Sequence, residues 1–132
     1  MKTLTRDRAT STEVLVPFRG NSAASLDGNS YDQHAFDSFN KLILSFGEYV
    51  ADWDGQGAFA PSPKLIENAL IYLASIVRAH LLLPNDVSLT KDGTIVFEWK
   101  AIRFLQFVEM SDSGRHLTVI DTINKTSHTN PI

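Results

Sequence analysis

Two carboxylates beside tryptophans are the first candidates for chemistry in this sequence. Asp54 lies in the run Trp53-Asp54-Gly55-Gln56-Gly57-Ala58, and Glu98 lies between Phe97 and Trp99. Two carboxylates that meet across a fold can divide general acid and base work in hydrolysis, so Asp54 and Glu98 form the candidate catalytic pair. The glycine amides are also candidates for a small anion-binding nest. No lysine follows these glycines, which excludes a phosphate loop of the Walker type.

The loop residues also fit a structural interpretation, which we favour. Trp53 ends an apolar stripe of helical period, and the Asp54 carboxylate can accept hydrogen bonds from its own loop. Gly55 and Gly57 can adopt positive φ without steric cost, as a helix stop followed by a reversal requires. The sequence therefore predicts that this run positions the chain and performs no reaction.

Glu98 likewise has two structural interpretations besides catalysis. It either pairs with Arg103 across a hairpin or accepts hydrogen bonds from loop amides near Gly55 and Gly57. We predict no catalytic residue. We predict a structural motif made of Trp53, Asp54, Gly55, Gly57, Glu98 and Trp99.

Metal ligands and nucleophiles do not form recognisable patterns. The chain has no cysteine, which excludes disulfides, thiolate zinc sites and cysteine nucleophiles. None of the histidines has a helical i, i+4 partner or belongs to an H-E-x-x-H pattern, and no serine lies in a G-x-S-x-G elbow. The sequence therefore predicts neither a metal nor a cofactor.

Composition narrows the class of protein further. The 132 residues suit one domain, 43% are apolar, and the formal net charge is −3. A mildly acidic chain argues against nucleic-acid binding, which needs a basic face to neutralise phosphates. No apolar run approaches the ~20 residues that cross a bilayer. We therefore expect a soluble, cytoplasmic protein that binds no membrane.

Two apolar stripes predict two helices. One stripe covers about residues 31–52 with alternating steps of three and four, in Phe36, Phe39, Ile43, Phe46, Val50 and Trp53. The other covers about residues 63–81, with Ser62 as N-cap and Pro63 in the first turn. Residues 1–30 are rich in Ser, Asn and Gly and are predicted as a flexible or loosely docked arm, whose one apolar cluster is Val14 to Phe18.

After Asp86 the apolar period changes to two, which predicts strands. Lys91-Asp92-Gly93 predicts a hairpin turn, and a polar tail follows at residues 124–132. The predicted fold class is α+β, with two antiparallel helices packed on one face of a four-stranded antiparallel meander, in the order ααββββ. The domain is predicted over residues 31–123.

One predicted strand, Ile102 to Met110, is apolar on both faces. Phe104 and Val108 alternate with Leu105 and Phe107, so one apolar face remains if the helices cover the other. The arm, a second copy of the chain, or another protein remain as alternative occupants of that face. Val96 and Ile120 extend the face in one register of the strands. The predicted partner-binding residues are Val96, Arg103, Leu105, Phe107 and Glu109.

Two segments carry a resemblance to a known group. They are Trp53-Asp54-Gly55-x-Gly57-Ala58 with Pro61 and Ser62, and Gly93-x-Ile95-x-Phe97-Glu98-Trp99. Together they resemble short bacterial and phage-borne proteins with a W-D-G-x-G-A loop and a G-x-I-x-L-E-W strand. The resemblance covers about residues 36–120 and departs at Phe97, where the group has an aliphatic residue. It implies an architecture and a mobile-element setting, and no mechanism.

These observations predict a small non-enzymatic protein-binding module. The resemblance places it as an inhibitor or antitoxin-like regulator in a phage, mobile-element or bacterial conflict system. One alternative is a small hydrolase that uses the Asp54 and Glu98 carboxylates. The other alternative is a structural module that associates with its own copy, as a homodimer.

Overall fold

The computed structural model describes residues 29–132, with side chains from Gln33 onward. Residues 1–28, which hold nearly all of the predicted arm, lie outside the described residues. Two helices are followed by five strands, and these elements are α1 Asn29–Phe46, α2 Pro63–Arg78, β1 Asp86–Leu89, β2 Ile95–Lys100, β3 Phe104–Ser111, β4 Gly114–Asp121 and β5 Thr126–Pro131.

Both helices end earlier than their apolar stripes predict. α1 closes through a turn in which Gly47 N donates to Leu44 O, because glycine is a weak helix former. Val50, predicted on the buried stripe, is 70% exposed. α2 begins where predicted, since the Ser62 side chain caps the Leu65 amide at 3.0 Å and Pro63 occupies the first turn.

The strands form one sheet in the order β1-β2-β3-β4-β5, and each neighbouring pair is antiparallel. The predicted α+β class and antiparallel meander are therefore confirmed. The predicted count of four strands is wrong, because β5 lies in the segment predicted as a polar tail. All six β5 residues are exposed, so the sequence has no apolar alternation here that would predict a strand.

Backbone pairing and the preceding turn hold β5 in place. Lys125 takes a left-handed φ of 58° at the turn, and Thr118 and Thr129 share a hydrogen bond of 2.8 Å across the strands. Ile132 N donates to Arg115 O, so by alternation the Pro131 nitrogen faces the free edge of the sheet. A proline is tolerated there because no partner strand needs its missing amide hydrogen.

The core lies between the helices and one face of the sheet, which we call the core face. Phe97 is fully buried at its centre, where its ring meets Tyr72 edge-on at 5.2 Å and stacks with Trp99 at 6.4 Å. Trp99 also donates from Nε1 to Leu82 O at 2.9 Å. Gln106 is buried on the same face, and neither atom of its amide group has a hydrogen-bond partner.

Strand alternation puts a second set of side chains on the opposite face, which we call the outer face. In β2 the buried residues Ile95, Phe97 and Trp99 alternate with half-buried or exposed neighbours. Both helices contribute buried residues to the cluster on the core face, so neither helix covers the outer face. The sheet thus separates a packed side from a side that the helices leave open.

Candidate functional site

In the loop after α1, the acidic side chains accept hydrogen bonds from the backbone of the same loop. Asp54 Oδ1 accepts hydrogen bonds from Gln56 N at 2.8 Å and from Ala58 N at 3.0 Å. Asp52 Oδ1 accepts from Gly57 N at 2.6 Å, and Asp52 itself takes a left-handed φ of 65°. These amides are the donors that an anion-binding nest would need, and two carboxylates already occupy them.

The same hydrogen bonds favour the charged form of the Asp54 carboxyl. The amide of Gln56 lowers its pKa most, and the amide of Ala58 and the positive charge of Lys91 act in the same direction. Desolvation opposes this shift. A carboxylate stabilised in this way is a poor general base near neutral pH, because its pKa lies far from the operating range.

The loop is seated on the β1–β2 hairpin. Trp53 Nε1 donates to Phe59 O at 2.9 Å, and Phe59 N donates to Lys91 O at 2.8 Å. Gly93 lies directly beneath with φ of 78°, and a Cβ there would stand 3.1 Å from Phe59 Cβ. Gly93 is therefore required both by its backbone conformation and by the close approach of the loop.

Glu98 lies away from this loop. It points to the outer face of β2, opposite Phe107 of β3, and Gly93 is five residues back along the chain. At ~3.3 Å per residue these five residues span about 16 Å. The structure therefore does not bring Asp54 and Glu98 together as a catalytic pair, and none of the loop amides described above donates to Glu98.

Arg103 does not pair with Glu98 either. Its guanidinium makes a bidentate contact with Asp121, with Nε at 3.0 Å from Oδ1 and Nη2 at 2.8 Å from Oδ2. The hydrogen bonds from Arg103 and from the Asn124 amide hold the pKa of Asp121 well below its usual range. Arg103 thus links the β2–β3 turn to the end of β4, and its positive charge is paired with Asp121 within the fold.

The outer face carries a band of apolar side chains across three strands, which we call the apolar stripe. Leu105 lies directly opposite Ile120, and Phe107 is the next outer-face residue along β3. Val96 of β2 lies diagonally beside Phe107, since its direct partner is Glu109. All four side chains, Val96, Leu105, Phe107 and Ile120, are half-buried, and none belongs to the hydrophobic core cluster.

Two acidic residues lie at opposed strand positions beside this stripe, and we call them the acidic pair. Asp86 of β1 lies directly opposite Glu98 of β2, which in turn lies opposite Phe107. Neither carboxylate forms an ion pair with any residue of the described part. Like charges at directly opposed positions of a sheet are in general unfavourable.

The remaining outer-face charges are better balanced. Glu109 accepts a hydrogen bond from Thr94 Oγ1 at 2.8 Å and lies opposite His116 of β4. Lys100 lies two residues beyond Glu98 on the same face, opposite Leu105. Of the predicted partner-binding residues, Val96, Leu105, Phe107 and Glu109 therefore share the outer face, and Arg103 lies apart from them in the β2–β3 turn.

Sequence reasoning missed Asp86, although a signal for it was present. The predicted turn at Lys91-Asp92-Gly93 fixes the register of the hairpin, and Thr90 N donates to Thr94 O across it. Counting outward in steps of two from that pair gives the opposition of Asp86 and Glu98. The position of the turn therefore suffices to predict that Asp86 lies opposite Glu98.

Residues 33–132 hold no group of three or more His, Asp or Glu side chains that is placed to bind a metal ion. Neither described helix combines the length and the apolar composition needed to cross a bilayer. Comparison with protein-family models, with curated proteins and with solved structures finds no match to this chain.

Proposed function

We propose that this chain is a small non-enzymatic protein-binding module whose partner binds the apolar stripe of the outer face. The observation that carries the proposal is the stripe together with the acidic pair beside it. Apolar side chains that no helix covers gain free energy when a partner removes them from water, at roughly 25 cal/mol per Å².

The acidic pair indicates the chemistry of the partner. Asp86 and Glu98 occupy opposed strand positions, and neither forms an ion pair within the described part, so a cation placed between them would compensate both charges. We therefore propose a partner surface with an apolar centre and Lys or Arg beside it. Such charge complementarity raises the association rate and selects against acidic competitors.

The biological setting is part of the proposal and rests on the two motifs described above. Proteins that resemble this chain in those motifs are bacterial or phage-borne. An inhibitor or antitoxin-like regulator in a mobile-element or bacterial conflict system needs a binding surface and no reaction chemistry, which agrees with a loop whose carboxylates are committed to its own amides.

The decisive experiment compares one substitution on two sides of the sheet. The tagged full chain captures its partner from the native host, and the captured protein is purified and titrated calorimetrically against each variant. Phe107→Glu places a charge in the stripe and should weaken binding by about 2 kcal/mol, roughly 30-fold in Kd. His128→Glu introduces the same side chain at an exposed β5 position on the core-face side and should stay within about twofold.

Two measurements make the outcome unambiguous. Thermal unfolding must show that the Phe107→Glu variant folds. If it does not, Glu98→Lys is used in its place, because this change reverses the charge of a half-buried residue and leaves the apolar side chains of the stripe unchanged. Unchanged affinity of a folded stripe variant would contradict the proposal. Gel filtration across a concentration series that reveals a dimer broken by Phe107→Glu would also contradict it, in favour of self-association.

A further inference from the structure

We propose that the turns that follow β2 and β4 dock the chain on the surface of an anionic lipid bilayer. The two turns comprise residues 101–103 and 122–125, and together we call them the isoleucine tip. The tip lies outside the apolar stripe, so the inference does not rest on the proposed function. The expectation that the chain binds no membrane came from the lack of a spanning apolar run, and docking at a lipid surface requires no such run.

Two aliphatic side chains project at the isoleucine tip. Ile102 is fully exposed, at 103% of its reference area, and Ile123 is 67% exposed. Beyond the last paired residues of β3 and β4, Thr122 N donates to Arg103 O at 2.8 Å, and the same count puts Ile102 opposite Ile123. The two isoleucines therefore form one apolar projection and not two scattered surface residues.

The turns at the opposite end of the sheet contain no such side chains. They are Thr90 to Thr94 and Ser111 to Gly114, and neither run contains an apolar residue. Turns favour residues such as Gly, Asn, Asp and Ser, which adopt turn dihedrals or bond the local backbone. Isoleucine does neither, so its presence in both turns of one end indicates contact with an apolar partner.

Hydrogen bonds fix the backbone of the tip. Besides its bidentate contact with Arg103, the Asp121 carboxylate accepts hydrogen bonds from the amides of Ile123 and Asn124 at 3.0 and 3.1 Å. Thr122 Oγ1 also donates to Arg103 O, at 2.6 Å. Because the isoleucines stand on a braced backbone, little chain entropy is lost when a partner buries them.

The charges at the tip favour an anionic surface. Lys100, Arg103 and Lys125 lie in or beside the two turns. The acidic residue there, Asp121, is already paired with Arg103, and neither lysine forms an ion pair with a described residue. The turns at the opposite end carry one lysine against two aspartates. A chain with a net charge of −3 thus presents a cationic end, and lysines near an anionic lipid surface strengthen binding.

The order of apolar and basic groups matches a bilayer. Lys100 and Lys125 each lie two residues back from the nearer isoleucine, about 7 Å along the chain. An anionic bilayer has charged headgroups above an apolar layer, and apolar groups of surface-bound proteins enter that layer by ~5–10 Å. A bilayer also adapts to a projecting tip, whereas a protein partner must supply a shaped cavity.

Vesicle binding tests the inference with the full chain and no protein partner. The purified chain is titrated with vesicles of phosphatidylcholine alone and of phosphatidylcholine with phosphatidylglycerol, and bound protein is measured by sedimentation. We expect binding to the anionic vesicles only, weakened roughly tenfold by Ile102→Ser and again by Ile123→Ser. Ile71→Ser is the matched control, because Ile71 is 56% exposed on α2, and it should bind like the unchanged chain.

Two pairs of lysine substitutions separate local charge from net charge. Lys100→Gln with Lys125→Asn should weaken binding roughly 20-fold, at about fivefold per lysine. Asparagine is chosen because Lys125 has a left-handed φ of 58°, which asparagine tolerates. Lys41→Gln with Lys64→Gln changes the net charge equally on the two helices and should weaken binding much less.

Three results would overturn the inference. They are absence of binding of the unchanged chain to anionic vesicles, equal losses for Ile102→Ser and Ile71→Ser, and equal losses for the two pairs of lysine substitutions. If Ile102→Ser instead weakens binding to a purified protein partner and the chain binds no vesicles, the tip belongs to a protein interface. None of these measurements uses Phe107→Glu, so their failure is distinguishable from failure of the proposed function.

Discussion

The loop after α1 and the outer face of the sheet use the same kind of side chain in opposite ways. In the loop, Asp52 and Asp54 accept hydrogen bonds from three amides of their own segment. On the outer face, Asp86 and Glu98 lie at opposed strand positions, and neither forms an ion pair with a residue of the described part. The loop carboxylates are bound by their own backbone, whereas the outer-face carboxylates have no ion-pair partner among the described residues.

This difference indicates where binding capacity lies. A carboxylate that accepts backbone hydrogen bonds through one oxygen is held in place by them and has only its other oxygen free for a ligand, however prominent its motif is in the sequence. Acidic residues at opposed strand positions are in general unfavourable, and natural proteins commonly carry such costs at functional surfaces. The acidic pair and the apolar stripe beside it meet that description, and the loop does not.

The largest effect on the loop side should come from Gly93→Ala. A Cβ at this positive φ is strained and meets Phe59 Cβ at 3.1 Å, so we expect a loss of about 1–3 kcal/mol in the free energy of unfolding, measured with urea. Gly57→Ala is the matched control, because its φ is 85° but nothing lies within 4 Å of its Cβ. It should lose less.

Gly93→Ala also tests the division between the two regions. If the loop only stabilises the fold, the folded fraction of Gly93→Ala should bind the purified partner with the affinity of the unchanged chain. Equal stability losses for the two glycine variants would contradict the seating of the loop on Gly93. A large loss of affinity for the partner in Gly93→Ala would indicate that the loop is part of the binding surface.

A smaller effect of opposite sign is expected from Glu98→Gln. Removing one charge of the acidic pair ends a like-charge contact across β1 and β2, so the free energy of unfolding should rise by about 0.2–1 kcal/mol. The same variant should bind the partner more weakly. Higher stability combined with weaker binding separates a functional carboxylate from a structural one.

Glu109→Gln provides the control on the same face. Glu109 accepts from Thr94 and lies opposite His116, so its replacement should leave the free energy of unfolding unchanged or lower it. If Glu109→Gln raises the free energy of unfolding as much as Glu98→Gln does, the gain comes from the lower net negative charge of the chain and not from the acidic pair.

The smallest effect is the pH dependence contributed by Asp54. Its pKa is lower in the folded chain than its ordinary value of 3.8, so the unfolded state binds more protons and stability falls as pH drops below about 4. Asp54→Asn removes this titration. Urea unfolding between pH 5 and pH 2 should show a shallower decline for Asp54→Asn, with a remaining decline from Asp121, whose pKa is also lowered. Identical pH profiles would show that the loop amides do not stabilise the charged form.

Sequence patterns predicted the elements that bury apolar side chains. α2 was predicted from Ser62 and Pro63, and the period of two in Ile95, Phe97 and Trp99 placed these residues on one face of β2. These signals work because burial forces a residue type at fixed intervals. The end of α1 was missed for the same reason, since Val50 fits the period but is exposed.

Features without burial left no such signal. β5 consists of exposed residues held by backbone pairing and a left-handed turn at Lys125, so its composition resembles a tail. The ion-pair partner of Arg103 could not be predicted locally, because Asp121 lies 18 residues further along the chain and comes near Arg103 only when β4 pairs with β3. Of the candidate site, alternation predicted the apolar side chains, and the acidic pair required the register of the hairpin.

The most direct test of the account is to map the partner's contact by NMR on the full chain. Adding the purified partner should shift the methyl signals of the stripe, Val96, Leu105 and Ile120, and the amide signals of Asp86 and Glu98. The signals of Gly55 and Gly57 in the loop should stay in place. Shifts centred on the loop or on the exposed side of the helices, with the stripe unchanged, would contradict the assignment of the outer face as the binding surface.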